Sequence, residues 1–221
     1  MSDFASQSPH LLHGLAITLI LLIGGAILAL VCAFAAGLGR LSRDPIVRWT
    51  SRIYIEIFRG TSALIQLYWF YFALPLLTGM ELSAMTAGIL VLGLNVGAYG
   101  AEVVRGAVQA VPSGQHLAAI ALNLTHFQRL RYIILPQAAL AMLPPMGNLL
   151  IELLKSTALV SMISVTDLTR AGLDIRDNTL ATTKVFLLLL GLYFLMSLCI
   201  TLGIRTLEHR LSKHVDHGGI R

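Results

Sequence analysis

The chain carries few charged residues for its length. Only 12% of its 221 residues are Asp, Glu, Lys or Arg, whereas 56% are apolar and the mean hydropathy is +0.78. A soluble domain usually carries about 25% charged residues, because water must solvate its surface. The composition therefore argues against an ordinary soluble domain and favours a protein that lies in a lipid bilayer.

Cysteine and catalytic motifs are also scarce. Cys32 and Cys199 lie inside apolar stretches, so we predict small buried side chains and no disulfide framework. No G-x-x-x-x-G-K-[ST] sequence is present to hold nucleotide phosphates, and no convergent nucleophile and base stand out. The histidines of the terminal flanks form no paired metal-ligand set. They are His10, His13, His209, His214 and His217. We expect no catalytic residue, no metal site and no cofactor in this chain.

Five uncharged stretches are long enough to cross a bilayer. A helical span needs about 20 apolar residues. The predicted spans are about 12–39, 53–77, 82–108, 132–156 and 184–206. The predicted fold is therefore all-α, with residues 1–221 forming one transmembrane domain of about five helices.

Lysine and arginine are distributed unevenly between the two sides of these spans. One side receives Arg40, Arg43, Arg48, Arg52, Arg129, Arg131, Arg205, Arg210, Lys213 and Arg221, whereas the other receives Arg170, Arg176 and Lys184. Short basic loops are retained in the cytoplasm. The N-terminus is thus predicted outside and the C-terminus inside, with 112–131 as a cytoplasmic loop. Anionic lipid headgroups account for the net charge of +5, so no nucleic acid partner is predicted.

Charged residues recur at helical spacing in the second and third spans. Glu56 and Arg59 are three residues apart, as are Glu102 and Arg105, so each pair shares a helical face. We predict structural ion pairs at both places. Asn95 lies two turns before Glu102 on the same face and is a candidate for the solute path.

The fourth span carries the best candidate for a solute path. Asn148, Glu152 and Lys155 fall at i, i+4 and i+7 and form one polar stripe, which Ser156 follows. These side chains suit a zwitterionic solute, but Glu152 and Lys155 could equally pair with each other, and both interpretations remain open. Prolines at 136, 144 and 145 remove backbone donors, so a kink or an unwound segment is expected there.

The predicted cytoplasmic loop resembles a known family. Its sequence runs from Gly114 through Gln115, Leu117, Ala118, Ala119 and Asn123, and continues to Leu135 and Pro136. This pattern resembles the EAA loop of ABC importer permeases, in which a short helix docks in a groove of the ATPase and an Ile-x-Leu-Pro run begins the next span. Leu117 stands where the family usually has Glu, and Asn123 where it usually has Gly.

Three further segments, at 56–61, 98–106 and 155–159, resemble the signatures of the polar amino acid group, the histidine, glutamine and arginine importers. Within that group, 95–102, 121–123 and 148–155 look most like ectoine and hydroxyectoine permeases. The resemblance implies a type I ABC importer permease in the bacterial inner membrane. It also implies ATP and Mg on two separate ATPase subunits, a solute-binding protein outside and a second permease subunit.

Two other classes stay open at this point. A secondary transporter or channel would work without ATP, whereas a membrane enzyme or a structural subunit of a larger complex would need a convergent nucleophile and base, or cofactor ligands, and the sequence offers neither. Because Leu117 replaces the family glutamate, we favour a heterodimer whose other permease keeps it, with a homodimer as the alternative.

Overall fold

The computed structural model describes residues 8–212, apart from the side chains of Ser8, His116 and Ser212. Lys213, His214, His217 and Arg221 lie outside these residues. Throughout the described part the regular structure is helical, which confirms the predicted all-α class. The main helices are α1 (Ser8–Gly39), α2 (Pro45–Gly60), α3 (Ala63–Thr78), α4 (Ala84–Ala110), α5 (Ser113–Ala121), α6 (His126–Arg129), α7 (Leu135–Ser156), α8 (Leu168–Thr179) and α9 (Thr182–Ser212).

Four helical segments are long and apolar enough to cross a membrane, or five if the bent pair of α2 and α3 counts as one span. Exposed Leu, Ile and Val side chains cover the outer faces of α1 and α9. In water such surfaces would aggregate, whereas in a bilayer they meet lipid tails. Helix α4 is the central element, since most of its apolar stretch is buried by its neighbours.

Small residues bring α1 and α4 into close parallel contact. A Cβ atom added at Gly97 would lie 2.7 Å from Cβ of Cys32 and 3.1 Å from the carbonyl oxygen of Ala29. At Gly100 it would lie 2.8 Å from Cβ of Ala33. Without a hydrophobic driving force between helices in lipid, such backbone approach provides the packing energy. The seam therefore depends on glycine at these positions.

The second predicted span is broken. Helices α2 and α3 meet at an angle of 104°. Thr61 is extended with φ −126°, and Ser62 begins α3 with an extended backbone. The bend separates an amphipathic first half, with Arg48 and Arg52, from an aromatic second half.

Helix α7 differs from expectation at its prolines. It remains helical from Leu135 to Ser156 with Pro144 and Pro145 inside it. Its irregular turns lie at the two ends instead: a π-helical turn at Leu130–Ile134 and a 3₁₀ turn at Thr157–Ile163. Pro136 follows the π-helical turn inside the continuous helix His126–Ile163, and it has no N–H to donate to the preceding turn.

Candidate functional site

The polar stripe of α7 lies on a face that the rest of the chain leaves exposed. Asn148, Glu152 and Lys155 are all exposed, and Ser156 at the end of the helix is half-buried. Pro144 is exposed on the same face, one turn before Asn148. Pro144 and Pro145 have no N–H to donate to the carbonyls of the preceding turn, so the stripe continues into backbone acceptors without helical partners.

Glu152 and Lys155 do not pair with each other. Within residues 8–212 neither side chain makes a hydrogen bond or an ion pair. The internal pair considered from the sequence is therefore not formed in this conformation. Both charges remain free to contact a solute or another subunit.

Asn95 lies elsewhere, in the angle between α2 and α3. Its side chain is only 8% exposed, and its amide donates to the carbonyl oxygen of Phe58 at 2.9 Å and to Oε1 of Gln66 at 3.1 Å. Gln66 in turn donates to Phe58 O at 2.9 Å and to Thr61 Oγ1 at 2.6 Å. Asn95 thus stabilises the helix break and lies apart from the exposed stripe, and its place on the solute path stays a prediction.

Gln66 is a residue that sequence reasoning missed. The available signal was a single amide inside an apolar run, since 63–77 contains no other Asn, Gln or charged residue. A polar group in such a run must find a partner, because an unsatisfied amide in hydrocarbon costs several kcal/mol.

The predicted pair of Glu56 and Arg59 is wrong. Glu56 instead accepts from Nε of Arg52 at 2.6 Å, one turn earlier on the same face. The guanidinium of Arg59 lies 5.1 Å from the ring centroid of Tyr99 on α4. A cation over an aromatic face is stabilised by the ring quadrupole, which explains why Arg59 turns away from Glu56.

The predicted contact between Glu102 and Arg105 is present. Arg105 Nη2 donates to Oε2 of Glu102 at 2.7 Å, and Arg40 Nε lies 3.9 Å from Oε1. Arg105 Nη1 also donates to Gln109 at 2.7 Å. Glu102 therefore lies between two guanidinium groups where α1 and α4 end.

The family-like loop forms the short helix α5 and the helical turn α6. Gly114, Gln115, Leu117 and Ala118 are exposed, with Leu117 at 67%, whereas Ala119 is buried. Gln137 of α7 donates to Gln115 at 3.4 Å; Pro136 is exposed beside it and Leu135 is half-buried. Exposed apolar side chains dominate this surface: Leu117, Ile120, Leu122 and Phe127.

Asn123 has a backbone conformation that suits the glycine usual at this position in the resembling family. Its φ is +53°, in the left-handed region that glycine occupies freely. Among other residues Asn tolerates this region best, because its short polar side chain can hydrogen-bond locally. Asn in place of Gly therefore preserves the turn after α5.

We predict that Asn123→Gly leaves stability nearly unchanged, whereas Asn123→Val lowers the melting temperature by about 3 °C or more, because a β-branched residue is strained at positive φ. Scanning fluorimetry of the purified protein measures this. Leu122→Val is the matched control, since Leu122 is exposed and has φ −83°. Equal melting temperatures for Asn123→Val and Leu122→Val would contradict the argument.

A buried carboxyl group at the opposite end of the bundle was not predicted. Asp167 is 0% exposed and caps α8, accepting from the backbone N–H of Arg170 at 2.9 Å and of Thr169 at 3.2 Å. Burial raises the pKa of Asp167 above its ordinary value, while these hydrogen bonds oppose the rise. The group is thus a satisfied structural cap.

Two further hydrogen bonds join the first turn of α8 to the long spans. The backbone N–H of Leu168 donates to Thr18 of α1 at 3.0 Å, and Thr169 bonds the hydroxyl of Tyr193 on α9 at 2.8 Å. The short helix α8 is therefore held to two membrane-spanning helices at once.

Similarity to known proteins covers almost the whole chain. The family described as "Binding-protein-dependent transport system inner membrane component" matches residues 29–213. The "Probable amino-acid ABC transporter permease protein y4tF" of Sinorhizobium fredii is 46% identical over 192 residues, which are 85% of this chain and 81% of that protein. The "Glutamine transport system permease protein GlnP" of Escherichia coli is 34% identical over 204 residues, or 92% of this chain and 93% of that protein.

A solved structure has the same fold. The chain in "Crystal structure of an amino acid ABC transporter with histidines" superposes with a TM-score of 0.86 and 34% identity, covering 94% of this chain and 96% of that one. The likeness to permeases of amino acid ABC transporters predicted from the motifs is confirmed, whereas the narrower likeness to ectoine permeases stays a prediction. Its motifs, its all-helical fold with four or five candidate spans and the extent of these matches show that the chain belongs to the family of inner membrane components of binding-protein-dependent transport systems.

Proposed function

We propose that this chain is one permease subunit of an ATP-driven importer that carries a polar or zwitterionic amino acid along the exposed face of α7. The observation that carries the proposal is the unpaired Glu152 and Lys155 on that face. A charged side chain at the centre of a lipid-facing helix costs about 2.5–3.5 kcal/mol even on scales that allow relaxation. Two such charges on one face indicate that this face meets protein or water.

A second permease subunit supplies the other wall of that path. One chain contributes up to five spans and leaves the stripe uncovered. Glu152 suits the ammonium group of an amino acid, and Lys155 or the amide of Asn148 suits its carboxylate. The proline-freed carbonyls beside Pro144 offer further acceptors for the ammonium group.

The surface of α5 and α6 is the proposed ATPase contact. Leu117, Ile120 and Phe127 present apolar area outside the bundle, which favours burial in a groove of a soluble subunit. Since Leu117 replaces the family glutamate, this docking relies on apolar contact. A second permease subunit that keeps the glutamate would add a charged contact to the ATPase. ATP and Mg are held by the two ATPase subunits, and their closure drives alternating access.

Charge gives the proposed orientation. Arg40, Arg105 and Arg129 lie where α1 and α4 end and α7 approaches its start, and this cluster of basic residues supports a cytoplasmic location for this end. The N-terminus is then outside, where a solute-binding protein delivers the amino acid near α8, and the C-terminus is inside.

We reconstitute the complex into liposomes with its ATPase and binding protein. We expect it to accumulate a labelled polar amino acid only when ATP and Mg are present on the side of the membrane that carries the ATPase subunits. Labelled glutamine, arginine and histidine are the first substrates, with unlabelled ectoine as competitor, because the relatives reported above are named for amino acids. Equal uptake without ATP would instead favour a secondary transporter or a channel.

Subunit composition is measured on the same material. A complex containing only this permease and the ATPase that transports at the full rate would exclude the obligate heterodimer. The control is a preparation whose ATPase cannot hydrolyse ATP, which separates binding to the liposomes from transport.

A further inference from the structure

A cavity of about 480 Å³ lies where α1 and α4 end and α6 leads into α7. Half of its ten lining residues are apolar, namely Leu38, Leu41, Val108, Leu130 and Ile134. The other half are polar, namely Ser42, Arg43, Gln109, His126 and Arg129. Because apolar and basic side chains line it together at the end of the spans, the cavity has the polarity of a membrane interface.

The two arginines of this cavity lack anionic partners in the described chain. The side chains of Arg43 and Arg129 form no ion pair or hydrogen bond within residues 8–212, and Nε of Arg129 is buried without an acceptor. The nearby carboxylates are already engaged, since Glu102 contacts Arg40 and Arg105, and Asp44 caps the first turn of α2. A buried guanidinium N–H without an acceptor is costly, so the Nε–H of Arg129 favours a bound anion at this site.

The other polar residues that line the cavity present donors as well. Oε1 of Gln109 accepts from Arg105, which leaves its NH₂ group available to donate. Oγ of Ser42 accepts from the backbone N–H of Asp44 at 3.1 Å, so its hydroxyl hydrogen is free to donate. His126 carries an N–H in either tautomer. No Asp or Glu is among the described residues that line the cavity.

We infer that this cavity binds a phosphate group, and that its apolar lining residues select one carried by an anionic phospholipid. Two guanidinium groups match phosphate oxygens in charge and geometry, and basic cavities between spans on the cytoplasmic side suit anionic headgroups. This inference rests on the proposed function only for the assignment of this end to the cytoplasm. Binding itself requires neither transport nor a known orientation.

The test uses the delipidated permease–ATPase complex, titrated separately with short-chain phosphatidylglycerol, with phosphatidylcholine and with inorganic phosphate, and read by native mass spectrometry. We expect phosphatidylglycerol to bind, phosphatidylcholine to bind at least about tenfold more weakly, and the double variant Arg43→Gln/Arg129→Gln to lose about tenfold or more in affinity. Arg131→Gln is the matched control. Arg131 lies in the same loop, but its guanidinium stacks 5.9 Å from the ring of Tyr132 and does not line the cavity.

Unchanged phosphatidylglycerol binding by the double variant, or equal binding of both lipids, overturns the inference. If inorganic phosphate binds with the same dependence on the two arginines and phosphatidylglycerol does not bind, the phosphate site stands and the lipid as its source is overturned. Should the double variant fail to assemble, the single variant Arg43→Gln applies the same criteria, because Arg43 is exposed in a turn. A complex that binds the lipid but does not transport would contradict the proposed function alone.

Discussion

Glu152→Gln is expected to reduce ATP-dependent uptake by at least about tenfold while the complex still assembles. A neutral amide keeps the shape of the side chain but loses the charge-assisted bond to a substrate ammonium group, which is worth about 1.5–3 kcal/mol. Lys155→Gln should have a similar effect through the substrate carboxylate. Initial uptake rates in liposomes over a range of substrate concentrations measure both.

Two controls carry the same chemical changes away from the stripe. Glu81→Gln lies in the exposed connection between α3 and α4, and Lys184→Gln lies in the exposed first turn of α9. Full uptake by Glu152→Gln and Lys155→Gln would remove α7 from the solute path. The double exchange Glu152→Lys/Lys155→Glu adds a second criterion. It transports at the wild-type rate only if the two residues act as an ion pair that forms during the transport cycle.

Gly97→Val is expected to reduce the yield of folded, assembled permease to less than about a tenth of the wild-type yield. The new Cβ would lie 2.7 Å from Cβ of Cys32 and 3.1 Å from Ala29 O, and neither atom is the end of a flexible side chain. Overpacking a well-packed contact costs about 1–3 kcal/mol, and more where backbones must separate. Size-exclusion chromatography of the tagged protein with its ATPase measures the assembled fraction.

Gly106→Val is the matched control on the same helix, because no atom lies within 4 Å of a Cβ built at Gly106. It carries the same change in helix propensity without the contact to α1. If both variants assembled equally well, the close seam between α1 and α4 would not govern folding.

Periodicity and apolar length predict most of the architecture, since a span is specified by its own residues. The break between α2 and α3 could not be predicted in the same way. It is stabilised by Asn95 and Gln66, which reach Phe58 from 37 and 8 residues away in the sequence. Such contacts exist only after the helices pack.

The candidate site shows the same limit. Spacing alone placed Asn148, Glu152 and Lys155 on one face, but it also placed Glu56 beside Arg59. It could not show that Glu56 pairs with Arg52, one turn earlier, or that the guanidinium of Arg59 lies over the ring of Tyr99. Asp167 was not predicted because the sequence does not show whether an N-cap aspartate is buried or exposed.

The exposed charges of Glu152 and Lys155 on α7 have a consequence for the number of copies of this subunit that a cell retains. A newly inserted copy that finds no companion must hold Glu152 and Lys155 against lipid, or draw water into the membrane around them. We expect such a copy to be degraded by membrane proteases, whereas a copy assembled in the proposed complex is shielded. On that expectation the amount of complex in the membrane follows its scarcest subunit.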